Sequence, residues 1–234
     1  EQASTNQTAK MLAEQGASHG TLVVAERQVS GRGRRGRPWH SPKGSGIWMS
    51  ILLRPQIHPM SASMLTLVAA MAVYDAISSR VEGCAIKWPN DIVIDGRKVC
   101  GILTEMSSEL DNIHYVVIGI GINVNQEVFH STAPNPVSLR QITGKQYDIF
   151  EILKNIMLRI QSDYELLRNG DTELIAHRYE KALFRKEGMH RYKDADGEFF
   201  ARIICVEPEG KLILEDDAQK KRGYMFKEVE YLLI

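Results

Sequence analysis

The sequence predicts an α+β fold, with a larger domain over residues 1–184 and a small all-β, barrel-like domain over residues 185–234. Three observations predict it. Strand-like apolar runs alternate with helix-period stretches as far as Phe184, short strand-like runs broken by turn residues fill the chain after Glu187, and an Asp95-Gly96 pair separates two β-rich runs. At 234 residues, 44% hydrophobic and 25% charged, the chain can bury one sizeable core and a small second one.

Taken in order, Thr5 or Asn6 caps a short helix that carries Ala9, Met11, Leu12 and Ala13 and stops at Gly16, and residues 21–25 form a strand. Residues 31–46 are rich in glycine, proline and arginine without periodicity, which predicts a long functional or mobile loop. Residues 47–53 read as a strand. Ser61 then caps an apolar core helix through Met64, Leu65, Leu67, Val68, Met71, Ala72 and Ile77. Residues 91–103 form a hairpin about a two-residue type I′ turn. Counting outward from that turn pairs Ile94 with Arg97, Val93 with Lys98 and Ile92 with Val99, which puts Asp91, Val93, Lys98 and Cys100 on one face. In the strand over residues 115–122, Gly119 and Gly121 leave a stripe bare of side chains up to Asn123, where backbone can touch a ligand. A turn-rich segment over residues 126–136 precedes two amphipathic helices, near residues 149–167 and 172–184. Beyond Arg185, short strands are expected near residues 199–206, 211–215 and 223–229, with turns at Asp196-Gly197 and Pro208-Glu209-Gly210.

Twenty-nine Lys and Arg cancel twenty-nine Asp and Glu, so no whole-molecule field draws the chain to nucleic acid or an anionic membrane, and any basic patch is local. Three cysteines, Cys84, Cys100 and Cys205, without a C-x-x-C pair argue against a disulfide framework or a zinc site and for a reducing cytoplasm. No apolar run reaches the roughly 18 residues of a spanning helix, and no signal peptide is evident. The chain begins without Met, which leaves open that it is one piece of a longer protein.

Gly31-Arg32-Gly33-Arg34-Arg35-Gly36-Arg37 places four guanidiniums and three glycines in seven residues. It satisfies G-x-G-x-x-G formally, but no helix follows and residues 51–59 hold no acid, so a dinucleotide fold is rejected. Anion binding survives, because glycines let backbone amides close on phosphate and each guanidinium offers a bidentate fork; a solvated basic loop or a nucleic-acid contact is the alternative. Lys87-Trp88-Pro89-Asn90-Asp91 sits at the mouth of the hairpin, with Trp88 also readable as plain core. Lys98 shares a face with Asp91 and can hold a carboxylate or a phosphate, although a surface lysine is the simpler reading. Of Ser4, Thr5 and Asn6, one caps a helix and two remain for a ligand.

Ser4-Thr5-Asn6, Gln28, the arginine–glycine run with Trp39, Lys87-Trp88-Pro89-Asn90-Asp91, Lys98 ahead of Gly101-Ile102-Leu103, and Gly119-Ile120-Gly121-Ile122-Asn123 follow one another in the order and approximate spacing of biotin protein ligases. The chain resembles that family over essentially its whole length. The resemblance implies a class II synthetase-like fold, a seven-stranded mixed and mostly antiparallel sheet backed by helices, followed by an SH3-like barrel. It implies that biotin and ATP give biotinyl-5′-AMP and pyrophosphate, and that the biotinyl group then passes to one lysine of a biotin carboxyl carrier domain, as in acetyl-CoA carboxylase. Carried over by position, Ser4, Thr5 and Asn6 line the ureido end of biotin and Gln28 contacts it. Arg32, Gly33 and Arg34 close over biotin and the adenylate phosphate. Lys98 holds the biotin carboxylate and then the α-phosphate, while Lys87, Asn90, Asp91, Asn123 and Trp39 lie on the nucleotide side, with Mg²⁺ bound together with ATP near Asn90 and Asn123.

An acyl adenylate hydrolyses in water, so residues 31–46 make sense as a lid that orders on ligand, and Arg34→Gly is expected to release adenylate. Family members usually have a strand before Ser-Thr-Asn, so part of the domain is expected to be missing ahead of Ser4, and nothing in the given residues encodes a helix-turn-helix. Monomer and homodimer stay open. A lipoate ligase with the same adenylation chemistry and a nucleic-acid-binding module are the competing readings.

Overall fold

The computed structural model describes residues 1–33, 36–58, 62–109, 112–129, 135–207 and 210–232. A six-stranded sheet organises the larger part. Its strands are β1 (Thr21–Ala25), β2 (Gly46–Leu53), β3 (Cys84–Lys87), β4 (Asp91–Ile94), β5 (Arg97–Glu109) and β6 (Asn112–Asn123), in the order β1-β2-β6-β5-β4-β3 with every pair antiparallel. Among the described residues the sheet has six strands; the resemblance implied seven. Among the described residues, parallel pairing occurs in isolated bridges such as Gln2–Gln28 and Ile86–Leu183.

The two faces of this sheet are covered differently. On one, Ile47, Met49, Ile51 and Leu53 of β2 and Ile118, Ile120 and Ile122 of β6 join α2 (Ser63–Ser78) and α4 (Ile149–Arg168) in the main core. Helix α2 is buried almost all round because the sheet lies under it while α4 and α5 (Thr172–Lys181) flank it. On the other face, α1 (Thr5–Glu14) sets Ala9 and Ala13 against Val23, Leu52 and Val117. A short helix, α3 (Leu139–Thr143), capped by Ser138 and ended by Gly144 at φ 70°, was not anticipated.

Several expectations are corrected. The N-cap of α1 is Ser4, not Thr5 or Asn6, and its side chain makes no capping bond. Ser61 lies outside the described residues; α2 has Ala62 at its cap position. The turn at Asp95 and Gly96, with φ of 48° and 75°, is of the primed kind expected. Ile94 faces Arg97 and Val93 faces Lys98, but a bulge then pairs Ile92 with Cys100 and leaves Val99 as the extra residue. Cys100 consequently falls on the core face with Ile92, not beside Asp91.

After Phe184 the chain forms a five-stranded antiparallel sheet, the SH3-like all-β module. Its strands, in the order β10-β9-β8-β7-β11, are β7 (His190–Asp194), β8 (Gly197–Val206), β9 (Leu212–Asp216), β10 (Lys221–Tyr224) and β11 (Glu230–Tyr231). Strands β7 and β11 were not anticipated, and β10 ends before the 229 expected, ahead of Lys227 at φ 76°. Of the turn expected at 208–210, Pro208 and Glu209 lie outside the described residues. Trp88 joins the two parts: its Nε1 donates to Gly210 O at 3.1 Å and its ring meets Phe226 edge-on, so this residue is core, as its simpler reading had it.

Candidate active site

The candidate site lies on the α1 face of the sheet and has two adjoining parts. In the first, Gln28 Oε1 accepts the Thr5 backbone N–H at 2.8 Å and lies 3.1 Å from Thr5 Oγ1, while Gln28 Nε2 donates to Ser41 Oγ at 3.0 Å. The Thr5 amide is one of those the first turn of a helix leaves unpartnered, so a distant glutamine replaces a local cap. Fully buried Ser50 places Oγ 2.6 Å from Asn6 Oδ1 and 2.8 Å from Thr5 Oγ1. Asn6 Nδ2 donates to Glu105 Oε2 at 2.8 Å and to Leu103 O at 3.4 Å, and Glu105 Oε1 takes Lys10 Nζ at 2.5 Å.

The glycine stripe explains how this cluster fits. A Cβ on Gly119 would stand 2.0 Å from Asn6 Oδ1, and one on Gly121 would stand 2.6 Å from Trp39 Nε1. The stripe expected to meet a ligand through its backbone is thus covered by two of the chain's own side chains.

In the second part Lys98 Nζ lies 2.6 Å from Asp91 Oδ1 and 5.3 Å from the centre of the Trp39 ring. Lys87 faces Asp91 across β3 and β4, with its ammonium 5.3 Å over the Tyr231 ring. Burial pulls the Lys87 pKa below the usual lysine range, and Lys98 and Arg185 add to this while Asp91 and Glu230 oppose it. Lys98 is paired with Asp91, and the three cations Lys87, Lys98 and Arg185 gather with the two carboxylates Asp91 and Glu230, a local positive excess in a chain of zero net charge that an anionic ligand fits. Trp39 Nε1 is buried without a hydrogen-bond partner.

The described part of the arginine–glycine loop folds back on itself. Gly33 N donates to Arg37 O at 2.7 Å and Trp39 N to Gly31 O at 2.8 Å, and a Cβ on Gly31 would meet Trp39 O, Gln28 and Ser41. Arg32 is exposed and bridges to Pro38. Arg34 and Arg35 lie outside the described residues.

Ser4, Thr5, Asn6 and Gln28 are therefore brought together, as are Trp39, Lys87, Asp91 and Lys98. Asn90 and Asn123 are turned inward: Asn90 Nδ2 donates to Ile102 O, Asn123 Nδ2 to Val137 O at 3.2 Å, and Asn123 Oδ1 accepts from Gln126 Nε2 at 3.0 Å. Sequence reasoning missed Ser50, Glu105, Ser41 and Gln126. Only Ser50 had a signal, as the lone polar residue within the apolar run of residues 47–53.

The family model for the biotin/lipoate A/B protein ligase family matches residues 1–123. The chain belongs to that family. Among its relatives, a bifunctional ligase/repressor BirA of Bacillus spizizenii is 40% identical over 228 residues, covering 94% of this chain and 69% of the relative. A biotin--[acetyl-CoA-carboxylase] ligase of Paracoccus denitrificans is 40% identical over 157 residues, which cover 64% of this chain and 65% of the relative. The structure of the Aquifex aeolicus biotin protein ligase in complex with biotin and ATP superposes with a TM-score of 0.81 at 27% identity, covering 99% of this chain and 96% of that one. For this family member the glycine stripe, the Trp39 ring that covers Gly121 and the Asp91–Lys98 pair lie together on one face of one sheet. Among the described residues no helix is long and apolar enough to cross a membrane.

Proposed function

We propose that the chain is an ATP-dependent biotin protein ligase, which joins biotin to ATP as biotinyl-5′-AMP and passes the biotinyl group to a lysine of a carrier domain such as that of acetyl-CoA carboxylase. The single observation that carries this reading is the Lys98 ammonium, held 2.6 Å from Asp91 beside Trp39 in a site with more cations than anions. A carboxylate and a triphosphate must meet there, and fixed cations offset their repulsion and the charge that develops on departing pyrophosphate. Lys98 first takes the biotin carboxylate and then the α-phosphate. Asp91 holds the lysine in place and Lys87 adds to the field.

Ser4, Thr5 and Gln28 receive the cyclic urea of biotin, and Arg32 and Gly33 lie on the adenylate side. Trp39 lies on the nucleotide side. Asn90 and Asn123 act there by fixing the backbone at Ile102 and Val137, since their amides are committed to it. Magnesium arrives with ATP as part of that substrate.

We infer a domain boundary at 184/185, a reading the following contacts support. The preceding segment is pinned to β3, with Ile86 N donating to Ala182 O at 2.7 Å and Phe184 N to Ile86 O at 2.8 Å, and Arg185 then turns at φ 61°. Pyrophosphate exchange into ATP tests the function: biotin should stimulate it and lipoate should not. Stimulation by lipoate alone would make this a lipoate-activating enzyme instead.

A further inference from the structure

We propose that Glu105 is a positioning residue that sets the donor direction at the cyclic-urea end of the site, an inference that rests on the biotin reading. Glu105 lies on β5, and its two carboxylate oxygens serve different donors: Oε1 takes Lys10 Nζ and Oε2 takes Asn6 Nδ2. With its other contact on Leu103 O, the Asn6 amide has its N–H groups aimed at acceptors, so Oδ1 faces Ser50. An amide oxygen only accepts, and Ser50 Oγ at 2.6 Å directs its one hydrogen there. Gln28 Oε1, fixed by the Thr5 backbone N–H, and Ser50 Oγ then compete for the one hydroxyl hydrogen of Thr5. Whichever takes it, Thr5 Oγ1 keeps only lone pairs for a further partner. That end of the site consequently selects a ligand N–H, the group a cyclic urea presents.

Glutamine at position 105 has the same shape and one acceptor oxygen instead of two. Lys10, which cannot accept, claims that oxygen, and the new NH₂ group faces Asn6 and turns its amide over. Ser50 then gives its hydrogen to Thr5 Oγ1, which loses one of its two acceptor positions, and the Thr5 hydrogen, claimed now by Gln28 alone, is free to turn to the ligand, so the hydroxyl no longer presents only lone pairs. The expected result is a loss in biotin affinity of up to about 10-fold, the scale of one neutral hydrogen bond.

Calorimetry with biotin and with an analogue methylated on its ureido nitrogens, which has no N–H, provides the test on the intact protein. Glu105→Gln should weaken biotin and narrow its advantage over the analogue, while the KM for ATP in pyrophosphate exchange stays unchanged. Lys10→Met alone keeps both Glu105 oxygens as acceptors for Asn6 and should keep the parent's preference for biotin over the analogue, which makes it the reference for the double variant. Lys10→Met combined with Glu105→Gln should restore both affinity and discrimination, because the glutamine oxygen is then free for Asn6. Parent-like biotin affinity in Glu105→Gln, or a double variant as weak as the single one, would overturn the proposal. A parent protein that ignores biotin would overturn the ligase reading itself, which is a different result.

Discussion

The two faces of the six-stranded sheet are built from the same strands and serve opposite ends. On the core face, β2 and β6 present Ile47, Met49, Ile51, Ile118, Ile120 and Ile122, whose value lies in filled volume. On the site face the neighbouring positions are Trp48, Ser50, Gly119 and Gly121, and Ser50 stands opposite Gly119 in register. There the glycines make room and directed hydrogen bonds fill it, so a fixed geometry replaces bulk. Substitutions on the first face should cost stability and on the second, function.

The largest test removes the charge at the centre of the site face. Lys98→Ala should lower biotin-dependent pyrophosphate exchange by roughly 100- to 1,000-fold, the scale for losing one preorganised electrostatic group, with the urea midpoint almost unmoved. Retained exchange would take Lys98 out of the chemistry. On the core face, Ile118→Ala should cost about 2–5 kcal/mol in urea unfolding while biotin affinity of the folded fraction is kept. Gly119→Ala, one residue along and facing the other way, puts a Cβ 2.0 Å from Asn6 Oδ1 and should cost about 1–3 kcal/mol together with a clear loss in biotin affinity. If Gly119→Ala left biotin binding intact, the division between the faces would fail.

Smaller effects sharpen the same contrast. Trp88→Phe keeps the packing on Phe226 and loses the bond to Gly210 O, an expected cost of about 1 kcal/mol read as a lower melting temperature. The smallest concerns pH. Burial holds the Lys87 pKa below its unfolded value, so the unfolded chain binds this proton more strongly. The cost is fully present below the folded pKa and fades as pH rises toward the ordinary lysine value of about 10.4. The stability of the parent relative to Lys87→Met should therefore shift in the parent's favour from neutral to alkaline pH, as followed by urea unfolding; a shift the other way would contradict the burial of that ammonium.

What was legible in the sequence follows the strength of each local signal. Helices α2, α4 and α5 carry long apolar patterns, and the Asp95-Gly96 turn dictates its own geometry, so these were readable. The Asp91–Lys98 pair was readable too, because the bulge lies beyond Lys98. The bulge itself has no local signature: Val99 is an ordinary strand residue, and only the pairing with β6 decides that Cys100 turns to the core. Thr5 and Asn6 look like caps because Gln28 and Ser50, the groups that draw them elsewhere, lie more than twenty residues away in the chain. Glu105 was unreadable for the same reason, its partners being Asn6 and Lys10 at the far end of the sequence. Strands β7 and β11 are short and polar, and their pairing with each other is a tertiary fact.

The central claim is that the polar face of this sheet activates biotin for transfer to protein. Intact-mass spectrometry of a carrier domain incubated with the protein, biotin and Mg-ATP tests it most directly. The account predicts one biotinyl group on one lysine, absent when Lys98→Ala replaces the parent; a carrier left unmodified by the parent, or labelled equally by both, would contradict it.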